Sequence, residues 1–100
     1  MKIIYVITTI EKITGDAAFG CRAPGWYENL DEAVRAVEEN IGDIFESGTY
    51  PYCVIEAMAE GIYGYMDEFV WFEWEGDEKT GGYKRIITNP LPRTCGFGIG

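Results

Sequence analysis

One stretch of this chain repeats its apolar residues at helical spacing. Leu30, Ala33, Val34, Val37 and Ile41 fall on one stripe, with Asp31, Glu32, Arg35, Glu38 and Glu39 on the outward side. Asn29 is placed to cap this helix, Glu32 three residues on completes a capping-box pattern, and Gly42 is placed to end it. The other apolar runs are short and rich in β-branched or aromatic residues. A lone amphipathic helix among strands buries its stripe by lying on one face of their sheet. The order β-β-α-β-β-β therefore predicts an α+β fold, a twisted antiparallel sheet of four to five strands packed on one helix.

Ile3 to Ile7 lacks alternation, as in a strand buried on both faces. Thr14-Gly15-Asp16 supplies turn chemistry, Ala17 to Arg22 returns as a second strand, and Pro24-Gly25 reads as the next turn. Tyr52 to Met58 forms the third strand, closed by Glu60-Gly61. Glu68 to Glu75 forms the fourth, with Val70, Phe72 and Trp74 on one face and Phe69, Trp71, Glu73 and Glu75 on the other. A loop from Gly76 leads to a fifth strand, Gly82 to Thr88. Residues 89–100 read as a Pro/Gly-rich C-terminal tail, in which Phe97 and Ile99 are the residues able to dock. At 100 residues the whole, 1–100, is expected to be a single domain.

Charge limits the partners. Seven carboxylates lie between Glu28 and Glu46 and eight between Glu56 and Glu78, against one basic residue, Arg35, so this stretch carries −14. Such a field repels nucleic acid and anionic membranes, which bind through cationic side chains. Direct nucleic-acid and membrane binding are therefore not expected, and a basic protein is the natural complement. No apolar run approaches the roughly 20 residues that span a bilayer. Met1-Lys2 runs straight into the first strand, so that segment reads as structure and not as a signal peptide. Three widely spaced cysteines, Cys21, Cys53 and Cys95, suit reduced thiols in a cytoplasmic protein better than a disulfide framework.

Catalytic devices are hard to build from this composition. The chain has no histidine, the usual base at neutral pH and the commonest metal ligand. Ser47 is its single serine, with no recognisable base beside it. The cysteines lack the short paired spacings of zinc sites, and Glu73, Glu75, Asp77 and Glu78 do not follow a calcium-loop pattern. The expectation is a non-enzymatic protein with no catalytic residue, metal site or cofactor. Aromatics make up 15% of the chain, and a single helix leaves some of them on the far sheet face, so Phe69 and Trp71 are candidates for an exposed interface.

At Trp26-Tyr27-Glu28-Asn29-Leu30-Asp31-Glu32-Ala33, Tyr50-Pro51-Tyr52-Cys53-Val54-Ile55-Glu56, Glu60-Gly61-Ile62-Tyr63, Trp71-Phe72-Glu73-Trp74 and the closing Phe97-Gly98-Ile99-Gly100, the chain resembles a group of uncharacterised small acidic proteins encoded by phages and mobile elements of gut bacteria. The resemblance rests on structural residues. It implies a cytoplasmic location in a bacterial host and transfers no catalytic residue. Small acidic phage proteins often bind host machinery, and many anti-CRISPR proteins present carboxylates to a cationic nucleic-acid channel.

Charge and resemblance together predict an acidic, anti-CRISPR-like anti-defence inhibitor that occupies a basic nucleic-acid-binding site on a host protein. Its expected partner-binding residues are Glu38 and Glu39 on the helix, Glu73, Glu75 and Asp77 on the hairpin, and Phe69 and Trp71 beside them. The alternatives are an oligomer that sequesters a nucleotide-like signal by aromatic stacking, and a structural mobile-element protein. Sequestration needs cations near the aromatics, and Lys84 and Arg85, adjacent on a strand, point to opposite faces.

Overall fold

The computed structural model describes residues 2–62 and 64–91. In it the chain is α+β. Strands β1 (Ile3–Thr14) and β2 (Ala17–Tyr27) are followed by helix α1 (Leu30–Glu38), then β3 (Tyr52–Ala59), β4 (Tyr65–Glu75) and β5 (Gly82–Ile86). The five strands form one antiparallel sheet in the order β2-β1-β3-β4-β5. The expected tail residues Pro92, Arg93, Thr94, Cys95, Gly96, Phe97, Gly98, Ile99 and Gly100, and also Tyr63, lie outside the described residues.

The first hairpin turns at Gly15-Asp16, where Gly15 takes the positive φ (62°) that two-residue hairpin loops require at their first position. β1 runs seven residues beyond Ile7, because Thr8 and Thr9 are β-branched and buried in the sheet, with the Thr9 hydroxyl donating to the Arg22 carbonyl at 3.2 Å. The turn expected at Pro24-Gly25 is instead part of β2. The register with β1 slips by one residue between Ile7 and Thr9, leaving Ala23 and Pro24 opposite the single residue Thr8, a bulge in β2. An edge strand tolerates proline there, since one side of it has no ladder to donate to.

Helix α1 starts as the capping pattern predicts, with the Glu32 amide donating to Asn29 Oδ1 at 3.1 Å. It ends earlier than expected. Asn40, at φ 49°, takes the left-handed position that the sequence suggested for Gly42, so Ile41 leaves the stripe and is 51% exposed. Ala33, Ala36 and Val37 are buried, and the helix lies across one sheet face, touching β1, β2, β3 and β5.

The sheet has a core on each side. On the helix side, Ile7, Cys53, Ile55, Val70, Phe72 and Tyr83 pack against Ala33 and Val37. On the other, Ile10, Val54 and Trp71 are closed over by Leu91, the first part of the expected tail, with Phe69 and Ile86 half-buried at the margin. Burying a Val-to-Phe-sized side chain contributes roughly 1.5–3 kcal/mol, so the second core stabilises a face that the helix cannot reach. β5 ends at Ile86, short of the expected Thr88, and the fully exposed Ile87 follows it.

Candidate functional site

The region after the helix contains no basic residue from Ala36 to Tyr50, and four carboxylates, Glu38, Glu39, Asp43 and Glu46. The hairpin between β4 and β5 adds Glu73, Glu75, Asp77 and Glu78, with Lys79 as its one cation up to Gly82. The fold brings the two segments together. Phe45 stacks on Trp74 with ring centroids 3.7 Å apart and planes 6° from parallel, and both rings meet Tyr83 edge-on, at 5.8 and 5.1 Å. The Tyr83 hydroxyl donates to the Tyr50 carbonyl at 2.6 Å, and the Trp74 amide donates to the Pro51 carbonyl at 2.8 Å. Burial pushes the Tyr83 phenol well above its ordinary range, with Cys53 and Asp43 adding to the shift. A Cβ on Gly82 would lie 4.0 Å from the Glu38 carbonyl, and one on Gly48 would meet the Glu78 carboxylate at 2.6 Å. The helix end, the loop after it and the hairpin therefore make one acidic end of the molecule.

The loop is tightly specified. Asn40, Asp43, Glu46 and Ser47 all adopt positive φ, between 49° and 54°, a region few residues other than glycine enter. Asn40 Oδ1 accepts the Phe45 amide at 3.0 Å, and the Thr49 hydroxyl donates to the Glu46 carbonyl at 2.9 Å. These bonds and the stack on Trp74 hold a conformation that local propensity would not choose.

The expected contact residues divide. Glu38 is exposed at the helix end, and Glu73 and Glu75 are exposed on β4, opposite Lys84 and Gly82. Glu39 is exposed but receives the Arg35 guanidinium at 2.8 Å. Asp77 is an organiser of its own loop: its carboxylate accepts the Lys79 and Thr80 amides at 2.8 and 2.7 Å and the Thr80 hydroxyl at 2.8 Å. Those bonds, led by the Thr80 amide, hold its carboxyl below the ordinary carboxylate value. Trp71 was expected as an exposed contact, but at 1% exposure it belongs to the second core. Phe69 is half-buried against that core and presents only part of its ring.

Sequence reasoning missed Asp43, Glu46 and Phe45. Their signal lay in the Gly42-to-Gly48 spacing, which reads as irregular loop and gives no hint of the stack on Trp74. Cys21 pairs with Ile10 on the second face whereas Cys53 lies in the helix-side core, so these two thiols do not converge. Burial pushes the Cys53 thiol far up; burial and then the Glu56 carboxylate also raise Cys21. Lys84 and Arg85 do face opposite ways, across from Glu73 and Phe72. Among the described residues no three side chains form a metal-binding group, and no helix is long and apolar enough to cross a membrane. No family model matches the chain, and comparison with curated proteins and with solved structures finds no match either.

Proposed function

We propose that this chain is a non-enzymatic acidic binding protein that covers a basic, nucleic-acid-binding surface of a host protein. The observation that carries the reading is the convergence of the helix end, the loop after it and the β4–β5 hairpin. Together these segments bear eight carboxylates and one lysine. A rigid array of carboxylates offers a cationic channel the charge pattern of a phosphate backbone. The likeness to phage and mobile-element proteins supports an anti-defence role in the bacterial cytoplasm. The exposed carboxylates assigned to the contact are Glu38, on the helix side, and Glu73 and Glu75, on the opposite sheet face, with the half-buried Phe69 on that second face.

The test is capture of partners from a bacterial lysate by the tagged protein at low and at high salt, with DNA or RNA as competitor. A nucleic-acid-handling partner that is lost at high salt and displaced by nucleic acid supports the reading. Reversing Glu38, Glu73 and Glu75 to lysine abolishes that capture while circular dichroism keeps its wild-type form. Unchanged capture by the reversed protein sinks it.

A further inference from the structure

Beside the acidic end, the β2 bulge and the loop after α1 face each other across a cleft. Its inner part, about 110 Å³, is apolar, floored by Ile7, Tyr27, Ala36, Ile41 and Ile44 and walled by Pro24. Pro24 and Ile44 also line a wider outer part of about 490 Å³, whose rim carries Arg22, Asp43 and Glu46. The Arg22 guanidinium closes on Glu46, Nη1 to Oε2, at 3.0 Å, and both side chains remain solvent-exposed. Ile41, half exposed, lines the inner part.

We propose that this cleft receives an arginine side chain of the basic partner, with its aliphatic stem on Ile41 and Ile44 and its guanidinium on Glu46 and Asp43 in place of Arg22. The inference deepens the acidic-surface reading and rests on it. Three observations converge on that occupant. The rim has two carboxylates and one cation, so displacing Arg22 leaves a −2 mouth over an apolar floor. Arginine matches that gradient, since its stem covers apolar surface while its head stays at the polar edge. Glu46 already holds a guanidinium, and that exposed internal pair is weak enough to exchange. Asp43 accepts hydrogen bonds from the Asn40 side-chain Nδ2 at 3.3 Å and the Ser47 hydroxyl at 3.5 Å, two of the about four that a carboxylate can take. A planar guanidinium has several donors for the remaining sites, whereas lysine brings a compact charge without the fork.

The test titrates the ¹⁵N-labelled full chain with N-acetylated hexaarginine amide, and separately with the hexalysine peptide, at low salt. Hexaarginine is expected to shift amides of Arg22, Ala23, Gly25 and Ile41–Ser47 more than those of the hairpin. Arg22→Ala removes the internal competitor and tightens hexaarginine about two- to five-fold, the range an exposed ion pair represents. Glu46→Gln and Ile41→Ser weaken it by at least as much. Should Glu46→Gln disturb the loop, Ile41→Ser carries the comparison by itself. Binding centred on the hairpin and indifferent to Arg22→Ala overturns the cleft assignment and leaves the acidic surface standing. Equal affinity for hexalysine overturns the guanidinium assignment. No binding of either peptide takes down both readings.

Discussion

Phe45 is the joint between the acidic loop and the sheet, and replacing it tests whether that joint is part of the folding core. The ring is 4% exposed, stacks on Trp74 and meets Tyr83 edge-on. Phe45→Ala removes the ring and leaves a cavity that the left-handed loop can close only by giving up its own geometry. Core Phe→Ala changes cost about 3–5 kcal/mol, a figure that already contains the aromatic contacts of roughly 0.5–1.5 kcal/mol each. A domain of this size has in all about 5–15 kcal/mol. With a urea dependence of about 1.5 kcal/mol per molar, a loss of about 3 kcal/mol lowers the urea midpoint by about 2 M. Urea titration followed by both circular dichroism and tryptophan fluorescence reads this out. The fluorescence also reports on Trp74, whose indole Nε1 donates to the Asp77 carbonyl at 3.0 Å. Phe45→Leu keeps apolar volume, loses the stack, and is expected to cost about 1 kcal/mol. A Phe45→Ala midpoint within about 0.5 M of wild type would refute the reasoning, because it would mean that the loop peels away without engaging the core.

Four further outcomes follow from particular contacts. Asn29→Ala removes the helix cap and is expected to cost about 1 kcal/mol in thermal unfolding, whereas Asn29→Asp, which keeps the acceptor, stays close to wild type. Asp77 sits below its ordinary 3.8, so its contribution to the hairpin is present above that pH and fades as pH falls through the lower folded value. An NMR titration of the Lys79 and Thr80 amides showing a midpoint above 3.8 contradicts this. In the native protein Cys53 is expected to resist alkylation and Cys21 to react slowly, as mapped by mass spectrometry; rapid labelling of Cys53 would show that the helix-side core opens. Glu38 ends the helix at its negative pole without the arginine that Glu39 has, so Glu38→Gln is expected to stabilise by about 0.3–1 kcal/mol at low salt and Glu39→Gln is not.

The α+β class, the helix start and the alternation of β4 were legible because each depends on spacing alone. Asn29 with Glu32, and Val70, Phe72 and Trp74 against Trp71 and Glu73, needed only helical and strand periods to be placed. The errors share a different cause, since each depended on a partner distant in sequence. Thr8 and Thr9 look like the end of a strand until β2 and β3 are set on either side of them. Pro24-Gly25 reads as a turn unless β2 is known to be an edge strand with a bulge at that point. Trp71 seemed an exposed leftover because nothing in its neighbourhood shows that Leu91 closes the second face. For the site, the carboxylates were visible as a count, but the meeting of the two segments that carry them depends on Phe45 stacking on Trp74 across 29 positions of sequence.

The way the acidic end is held bears on what it is free to do. Among the described residues there are three ion pairs, Lys2–Glu28, Arg22–Glu46 and Arg35–Glu39, all exposed and so screened by solvent and only weakly stabilising. Like charges crowded at one end work against folding, and those pairs offset little of the repulsion. What holds the loop and hairpin together is apolar: the Phe45, Trp74 and Tyr83 rings, with a phenol donating to the Tyr50 carbonyl at their edge. Stability and charge therefore reside in different atoms of the same segments. Glu38, Glu73 and Glu75 can be exchanged without touching the packing, so a change that abolishes partner binding there can be assigned to charge. A change at Phe45 or Tyr83 acts on the frame that presents the charge, and its effect on binding is expected to track its effect on stability.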